Sequence, residues 1–388
     1  MKTIKEIAPA YSDYAVAMRR TFHQHPEASM QETWTCAKIC QELRDMGIRH
    51  QVVAGTGVVA TLGRGDGKTV MLRADMDALT VTEETGLDFC SQQPGMMHAC
   101  GHDGHMAMLL TAAKLLQEVE EQLAGTVKLF FQPGEEVGLG AKAMIAAGAL
   151  EGVDGCFGIH LWSDIPTGKI SVEAGPRMAS ADRFELTITG KSGHGSMPHQ
   201  GADAVLAAAA VVMNLQQIAS RRTDPLESAV VTVGTVEGGS RWNVLAGEAK
   251  LTGTTRTFSS EICRDFPAMI EQIATSTAMA YGATARLDYT PLLGPTVNDE
   301  TCSAIAADAV RALCGEKALY HFERITGGED FSYYLQEVPG CLAFVGIRSE
   351  EKGSTYPHHH EKFQMDEDAL ITGAALYAQF AVDFLAKF

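Results

Sequence analysis

The sequence contains no apolar run long enough to cross a lipid bilayer. Its longest run, residues 204–213, has ten residues, whereas a spanning helix needs about 18 or more. The first twenty residues contain no continuous apolar stretch of the kind found in signal peptides, so no secretory leader is predicted. These absences argue against a membrane protein.

Positive charge is also scarce. Lys and Arg number 31 against 48 Asp and Glu, which gives a formal net charge of −17. A nucleic-acid-binding protein needs a basic face to displace counterions from phosphates, and docking on an anionic membrane surface needs basic residues as well. We therefore expect neither nucleic acid nor a membrane as a partner.

Internal repeats, low-complexity tracts and long blocks of like charge are absent, which excludes solenoids and disordered tails. The nine cysteines are an odd number scattered over 388 residues, unlike the framework of a small disulfide-rich domain. We therefore expect a reducing, cytoplasmic location. The thirteen histidines, in contrast, bunch near residues 98–105 and 358–360, and this bunching needs an explanation.

The first part of the chain alternates short β-branched runs with helical patterns, which is typical of a mostly parallel sheet flanked by helices. The apolar period over residues 104–123 predicts a helix. Buried strands are predicted at residues 69–73, 127–131 and 156–159. The same pattern returns after residue 292.

Residues 181–291 have a different pattern. Alternating strands, together with helices over about 202–220 and 266–280, indicate an antiparallel sheet with one exposed face. The sequence therefore predicts an α/β protein. Its mostly parallel-sheet domain (1–180 and 292–388) is interrupted by an inserted α+β domain, an antiparallel sheet plus two helices (181–291).

The densest group of potential ligands lies in the segment MHACGHDGH at 97–105. Cys100 and His102 are two residues apart, and Gly101 lets the chain turn so that both side chains can face one point. Thiolate and imidazole are good ligands for zinc and neighbouring transition metals. Alone, the pair is better explained as a helix-capping segment, since short motifs have a high false-positive risk.

Two further strand ends carry polar side chains. Glu135 and Glu136 follow a predicted strand, where open α/β sheets have their ligand crevice. Adjacent residues in an extended loop point apart, so one carboxylate could bind a metal while its neighbour acts as a general base; a solvated acidic loop is the alternative. His160 closes the next strand and is either a ligand or a buried core histidine.

Asp75 and Asp77 follow the strand at 69–73, and both can reach the same crevice because residues i and i+2 face the same side. A carboxylate there can orient a metal-bound histidine, or it can be a solvated loop residue. Three consecutive histidines, 358–360, precede the final helix. Four separate segments thus supply Cys, His and Glu side chains, and this convergence favours a metal site.

With these residues in place, the chain resembles the metal-dependent aminoacylase/carboxypeptidase amidohydrolases. Within them it is most similar to the branch of hippurate hydrolase and the plant indole-3-acetyl-amino-acid hydrolases. The matching motifs run in order along almost the whole chain: RRTFHQHPEASMQE, LRADMDAL, MHACGHDGHMAMLL, FQPGEEVGLGAKAMI, GIHLW, GKSGHGSMPHQGADAV, GTTRTF, GGEDFSYY and HHHEKF. They are very specific for the family and weakly specific for the substrate.

The resemblance implies a centre of one or two divalent metal ions per subunit, with Zn²⁺ as first choice and Mn²⁺, Co²⁺ or Ni²⁺ as alternatives. The family places a proline two residues after its C-terminal histidine ligand, and Glu361 stands there in this chain. The implied ligands are Cys100, His102, Glu136, His160 and one C-terminal histidine, matched by His359 with His358 and His360 as alternatives.

The resemblance also implies roles around the metal. Glu135 matches the general base, which takes a proton from a metal-acidified water and returns it to the leaving amine. Asp77 would orient a ligand. The inserted domain would carry dimerisation, with His194 reaching the partner subunit's active site to stabilise the oxyanion. Asn243 and Arg256 would contact the substrate near its carboxylate.

The implied reaction is hydrolysis of an N-acyl amino acid, of hippurate, N-acetyl or aryl-acyl type, to a carboxylic acid and a free amino acid. The expected assembly is a homodimer or tetramer. A dipeptidase or carboxypeptidase of the same family is the enzymatic alternative. A catalytically silent metal- or ligand-binding protein on this fold is the alternative from another class.

Overall fold

A computed structural model of the chain describes residues 2–63 and 65–388. The chain divides into two compact units. The main unit consists of Met1–Gly175, Val297–Glu323 and Asp330–Phe388, and the small unit of Pro176–Thr296 and Arg324–Glu329.

The described residues form strands and helices with the following bounds. The strands are β1 (Arg49–Val53), β2 (Gly57–Gly63), β3 (Thr69–Asp75), β4 (Thr126–Gln132), β5 (Gly155–Pro166), β6 (Ile170–Ser171), β7 (Gly175–Met178), β8 (Ala181–Thr189), β9 (Gly193–His194), β10 (Ala229–Gly238), β11 (Val244–Leu245), β12 (Glu248–Thr257), β13 (Thr284–Leu293), β14 (Thr296–Asn298) and β15 (Gly340–Arg348). The α-helices are α1 (Ile4–Ile7), α2 (Ser12–His23), α3 (Thr33–Asp45), α4 (His102–Glu118), α5 (Gly140–Ala146), α6 (Ala204–Leu215), α7 (Ser260–Ala280), α8 (Glu300–Cys314), α9 (Ser332–Glu337) and α10 (Asp368–Lys387). Short 3₁₀ helices lie at Ala8–Tyr11, Glu120–Gln122, Pro198–Gln200 and Glu316–Ala318, and a π-helical turn at Ile218–Arg222.

The main unit is built on a seven-stranded sheet in the order β1-β2-β4-β3-β5-β15-β6. Its four central strands are parallel, and the outer strands pair antiparallel. The chain passes from β3 to β4 on one side and then to β5 on the other. In open α/β sheets, ligands bind outside the carboxyl ends of the strands where the connections reverse in this way.

Helices α4 and α10 form the interior of the main unit. They pack against each other, and α4 also contacts α2 and β3. Both helices are buried along most of their length because apolar side chains occupy most of their circumference.

Tyr377 of α10 marks the point where two central strands separate. The register between β3 and β5 ends at Arg73 and Gly158. Beyond it, the buried Tyr377 hydroxyl donates to the carbonyl of Arg73 at 2.6 Å and accepts the N–H of Ile159 at 3.1 Å. This hydroxyl satisfies backbone groups that the diverging strands no longer pair.

The small unit is a four-stranded antiparallel sheet, in the order β10-β12-β8-β13, with α6 and α7 packed on one face. Phe184, Leu186 and Ile188 alternate along β8 and share one core with the apolar sides of both helices. This is the arrangement that period-two alternation predicts for a sheet covered on one face.

The predicted fold class, with a parallel-rich main sheet and a separate antiparallel sheet, is confirmed. Several predicted bounds were wrong, among them the start of α7, which was expected at residue 266 and lies at Ser260. The strand expected at 156–159 continues to Pro166, because β5 pairs with β15, which lies far away in sequence. The helix expected at 104–123 runs from His102 to Glu118. The assignment of 181–291 to dimerisation stays a prediction.

By length and composition alone, two helical segments could cross a membrane: Ala204–Arg222 and Asp368–Lys387. Inside the protein, 33% of the apolar window of the first and 67% of that of the second are buried. Core helices of globular proteins meet the same criterion, and the second segment is the interior helix α10.

Candidate metal centre

Cys100 and His102 lie at the start of α4, on either side of a glycine turn. Gly101 has φ +92°, a left-handed conformation that glycine adopts without a Cβ penalty. Cys100 Sγ lies 3.7 Å from His160 Nε2. One ligand atom from each of Cys100, His102 and His160 lies within 4.8 Å of the others, and all three side chains are buried. The structure therefore brings these three predicted ligands together.

The hydrogen bonds of the two histidines define which nitrogen faces this point. His102 Nδ1 donates to the backbone carbonyl of Asp77 at 2.9 Å, and His160 Nδ1 donates to the carbonyl of Leu161 at 2.7 Å. A carbonyl only accepts, so each Nδ1 carries a proton. Each Nε2 is left to bind a cation, and that of His102 is buried without a hydrogen-bond partner among the described residues.

Asp77 holds the loop that carries Glu135 and Glu136. Its Oδ1 accepts the N–H of Glu135 at 3.1 Å, and its Oδ2 accepts the N–H of Glu136 at 3.0 Å and the hydroxyl of Ser29 at 2.6 Å. Burial opposes ionisation, but hydrogen bonds from His102, Ser29 and the loop lower the pKa of Asp77. Asp77 is therefore a fixed anion that links the loop to His102.

Two of the three consecutive histidines have other partners. His358 Nε2 donates to the carbonyl of Leu161 at 2.9 Å, and its Nδ1 lies 3.0 Å from the hydroxyl of Ser163. His360 Nδ1 accepts the N–H of Lys362 at 3.0 Å. Both nitrogens of His358 are thus engaged, and His360 caps the following turn.

His359 is the histidine of this group that faces Glu136. Its backbone is left-handed (φ +67°) and its N–H donates to the carbonyl of Ala99 at 2.8 Å. The Nε2 atom lies 3.7 Å from Glu136 Oε1. Cys100, Glu136 and His359 form a second group whose ligand atoms lie within 4.8 Å of one another. A left-handed backbone is uncommon in non-glycine residues and is found disproportionately at functional sites.

The two groups share Cys100, and burial disfavours the ionised forms of Cys100 and Glu136. Burial, then Glu136, raises the pKa of the Cys100 thiol well above its usual value. Burial also raises the pKa of Glu136 to about 7, against the opposing effect of His102. Glu136 Oε1 is a second buried atom without a hydrogen-bond partner among the described residues. A set of sulfur, nitrogen and oxygen donors, buried at Cys100, His102 and His160 and exposed at His359, fits a divalent metal ion.

Glu135 lies beside these groups. It is 8% exposed, and one of its carboxylate oxygens is within 4.8 Å of ligand atoms of His102 and Glu136. Adjacent residues of one loop therefore present two carboxylates to the same region. The arrangement allows one to bind a metal and the other to move a proton.

Three predicted site residues lie in the small unit: the catalytic His194 and the substrate-binding Asn243 and Arg256. His194 is exposed on β9, with Nδ1 accepting the N–H of Ser196 at 3.2 Å. Asn243 immediately precedes β11, which pairs with β9, and its Oδ1 is buried without a hydrogen-bond partner among the described residues. Arg256 is half-buried on β12. The predicted ligands, Glu135 and Asp77 all lie in the main unit.

Sequence reasoning identified Asp75 but missed the buried residues that hold it in the main unit. Arg73 donates to Asp75 at 2.6 Å, to Asp330 at 2.7 Å and to Gln132 at 2.8 Å. His105 Nδ1 donates to the other oxygen of Asp75 at 2.6 Å. One signal could have found them: a charged residue inside a buried strand such as MLRAD requires a partner.

A known protein family matches most of the chain. Residues 71–383 match Peptidase family M20/M25/M40. The IAA-amino acid hydrolase ILR1-like 4 of Arabidopsis thaliana is 40% identical over 382 residues, covering 97% of this chain and 87% of the plant protein. The N-acetylcysteine deacetylase of Bacillus subtilis (strain 168) is 40% identical over 376 residues, covering 96% of this chain and 97% of that protein.

A solved structure is similar over the whole chain. A Bacillus subtilis protein, described as a dinuclear metal binding peptidase from the M20 family, has a TM-score of 0.87 at 37% identity and covers 98% of this chain and 100% of its own. These comparisons confirm the predicted resemblance and the predicted class of enzyme, a metal-dependent amide hydrolase. The chain belongs to Peptidase family M20/M25/M40.

Proposed function

We propose that this chain hydrolyses the amide bond of N-acyl amino acids to a carboxylic acid and a free amino acid, with Glu135 as general base. One observation carries the proposal: the buried Glu135 carboxylate lies beside two groups of sulfur, nitrogen and oxygen ligands that share Cys100. The similarity to an IAA-amino acid hydrolase and an N-acetylcysteine deacetylase supports this substrate class.

The proposed centre holds two divalent ions. Cys100, His102 and His160 would hold one, and Cys100, Glu136 and His359 the other, with Cys100 common to both groups. Zn²⁺ is our first choice because thiolate and imidazole suit it, with Mn²⁺, Co²⁺ or Ni²⁺ as alternatives. A thiolate ligand also suits the reducing cytoplasm, which we propose as the location.

When bound, a divalent metal supplies Lewis-acid chemistry, acidifying water and polarising a carbonyl. Glu135 takes the proton of the attacking water and returns it to the amine nitrogen as the amide bond breaks. Asp77 keeps the Nδ1 proton of His102 directed away from the centre and fixes the peptide of Glu135. Burial of Glu135 excludes bulk water and strengthens the electrostatic interactions around it.

The small unit would supply substrate recognition and the homodimer interface. His194, delivered to the partner subunit's site, would stabilise the oxyanion, while Asn243 and Arg256 would bind the substrate near its carboxylate. Exposed apolar side chains support an interface on this unit: Leu206 is 55% and Met213 72% exposed. Sedimentation of a Leu206→Asp variant as a monomer would agree with this interface.

The proposal is tested with a panel of N-acyl amino acids and dipeptides, each assayed after metal removal and addition of single metals. We expect kcat/KM to be highest for N-acyl amino acids, and activity to disappear on chelation. Glu135→Gln should lower kcat by about 10²–10⁴-fold while metal content is retained. Unchanged turnover of this variant would refute the mechanism, and higher kcat/KM on dipeptides would indicate an exopeptidase instead.

A further inference from the structure

A continuous series of buried hydrogen bonds runs from the interior of the main sheet to the proposed metal centre. It begins at Asp330, whose Oδ1 accepts from Arg73 at 2.7 Å. Arg73 donates through a second nitrogen to Asp75 Oδ2 at 2.6 Å, and Asp75 Oδ1 accepts from His105 Nδ1 at 2.6 Å. All four side chains are at most 1% exposed. Charge-assisted hydrogen bonds in such surroundings are strong and geometrically restrictive.

His105, at the end of this series of hydrogen bonds, is a neutral histidine with a defined tautomer. His105 Nε2 accepts the N–H of Leu161 at 2.9 Å, so this nitrogen carries a lone pair, and the proton lies on Nδ1 facing Asp75. Asp75, His102 and His105 are close enough to form a ligand group by distance alone. Both oxygens of Asp75 and both nitrogens of His105 are already engaged, however, so these two residues support the centre and do not bind the metal.

The backbone of Leu161 transmits this support to both proposed ligand groups. Its N–H is held by His105, and its carbonyl accepts from His160 Nδ1 at 2.7 Å and from His358 Nε2 at 2.9 Å. His160 belongs to the first ligand group, and His358 directly precedes His359 of the second. The N–H and the carbonyl of Leu161 belong to the two peptide units that flank its Cα, so the placement of this one residue's backbone determines where two ligands point.

We propose that His105, anchored by Arg73 and Asp75, is a positioning residue that fixes the backbone of Leu161 through its N–H and thereby sets the geometry of both metal subsites. The inference rests on the proposed metal centre and goes beyond it, since neither His105 nor Leu161 is among the proposed ligands or substrate-binding residues. Its physical basis is that outer hydrogen-bond partners fix the tautomer and direction of ligating histidines, and their loss weakens metal binding by about 10–100-fold.

Two substitutions of His105 separate its two hydrogen bonds. In His105→Gln the amide oxygen reaches the place of Nε2 and can still accept the N–H of Leu161. In His105→Asn the amide reaches only the place of Nδ1, so the bond to Asp75 can form while the Leu161 N–H loses its acceptor. Positioning through Leu161 therefore predicts that His105→Gln retains the centre better than His105→Asn.

The readout is Co²⁺ binding to the metal-free full-length chain, followed by calorimetry and by the visible absorption of cobalt bound to sulfur and nitrogen. We expect Co²⁺ affinity to fall by about 10–100-fold in His105→Asn, with an altered spectrum, and by less in His105→Gln. His25→Asn is the control, because His25 stacks on Trp34 and lies outside this series of hydrogen bonds. This variant should bind Co²⁺ as the parent does. Thermal unfolding of the metal-free variants reports whether each is folded.

A second variant tests the backbone of Leu161 at its carbonyl. His358→Phe keeps a ring but removes the donor to Leu161, so the affinity for one of the two cobalt ions should fall while the other changes less. A parent that binds two ions, with His105→Asn and His358→Phe matching it in affinity and spectrum, would overturn this inference alone. A parent that binds no cobalt would overturn the proposed centre and this inference together.

Discussion

Asp77 accepts the backbone N–H of Glu135 at 3.1 Å, so the proposed base is held by the same carboxylate that faces His102. Asp77→Asn keeps the shape of the side chain but turns an NH₂ group towards the backbone N–H of Glu135 or Glu136. We expect kcat/KM on an N-acyl amino acid to fall by about 10–100-fold, together with weaker metal retention. The exposed Asp164→Asn is the matched control, and equal kcat/KM in the two variants would contradict the role of Asp77.

His359 should be the C-terminal ligand. We expect His359→Asn to bind one metal ion per chain where the parent binds two, because the variant removes the imidazole that faces Glu136. Asn is the appropriate substitution, since it tolerates the left-handed backbone at φ +67° better than most residues do. His360→Asn, measured by the same elemental analysis, should retain both ions; loss of an ion from His360→Asn alone would reverse the assignment.

Tyr377→Phe tests the hydroxyl that lies between the diverging strands β3 and β5. Its removal leaves the buried N–H of Ile159 and the carbonyl of Arg73 without this partner. We expect the free energy of unfolding to fall by about 1–3 kcal/mol, the cost of an unsatisfied buried polar group. Urea denaturation measures this, with the partly exposed Tyr281→Phe as control, and an unchanged midpoint for Tyr377→Phe would argue against the interpretation.

The half-buried Glu83 should make stability depend on pH in the acid range. Burial opposes its ionisation, but hydrogen bonds from His23 and from the N–H of Ser91 lower the pKa of Glu83 from 4.5 to about 2. A carboxyl whose pKa is lower in the folded state stabilises the fold above its unfolded pKa and loses this contribution as pH falls through the folded value. The loss is therefore expected between about pH 4.5 and 2.

Glu83→Gln removes this titration. Its unfolding free energy should vary less with pH over that range than the parent's, as measured by denaturation at a series of pH values. The neighbouring, exposed Glu84→Gln is the control and should follow the parent curve. A Glu83→Gln variant with the same pH profile as the parent would show that Glu83 does not contribute in this way.

Much of this architecture could be predicted because local signals were strong. The buried run at 69–73, the helical period after Gly104 and the alternation at Phe184, Leu186 and Ile188 each appear in the structure as β3, α4 and β8. The proposed ligands could be named because each follows a strand or a turn. The resemblance to the amidohydrolases added the ranking of His359 that spacing alone left open.

The supporting residues were harder to predict because their partners are distant in sequence. Arg73 and Asp330 are 257 positions apart, and Leu161 and His358 are 197 apart. Single-sequence patterns report local periodicity and do not report such pairs. The same reason explains why β5 was predicted too short: its continuation to Pro166 depends on β15, whose register includes the pair Arg348 and Pro166.

Because Cys100 belongs to both ligand groups, its loss would affect both proposed metal subsites. The two ligand groups have no other residue in common, and neither group contains a second sulfur to hold an ion when this thiol is lost. Oxidation of Cys100 to a sulfinic acid would disable both subsites in one irreversible event, whereas damage at His160 or Glu136 would remove a ligand from one subsite only. The vulnerability of the proposed centre to oxidants is therefore concentrated in a single atom.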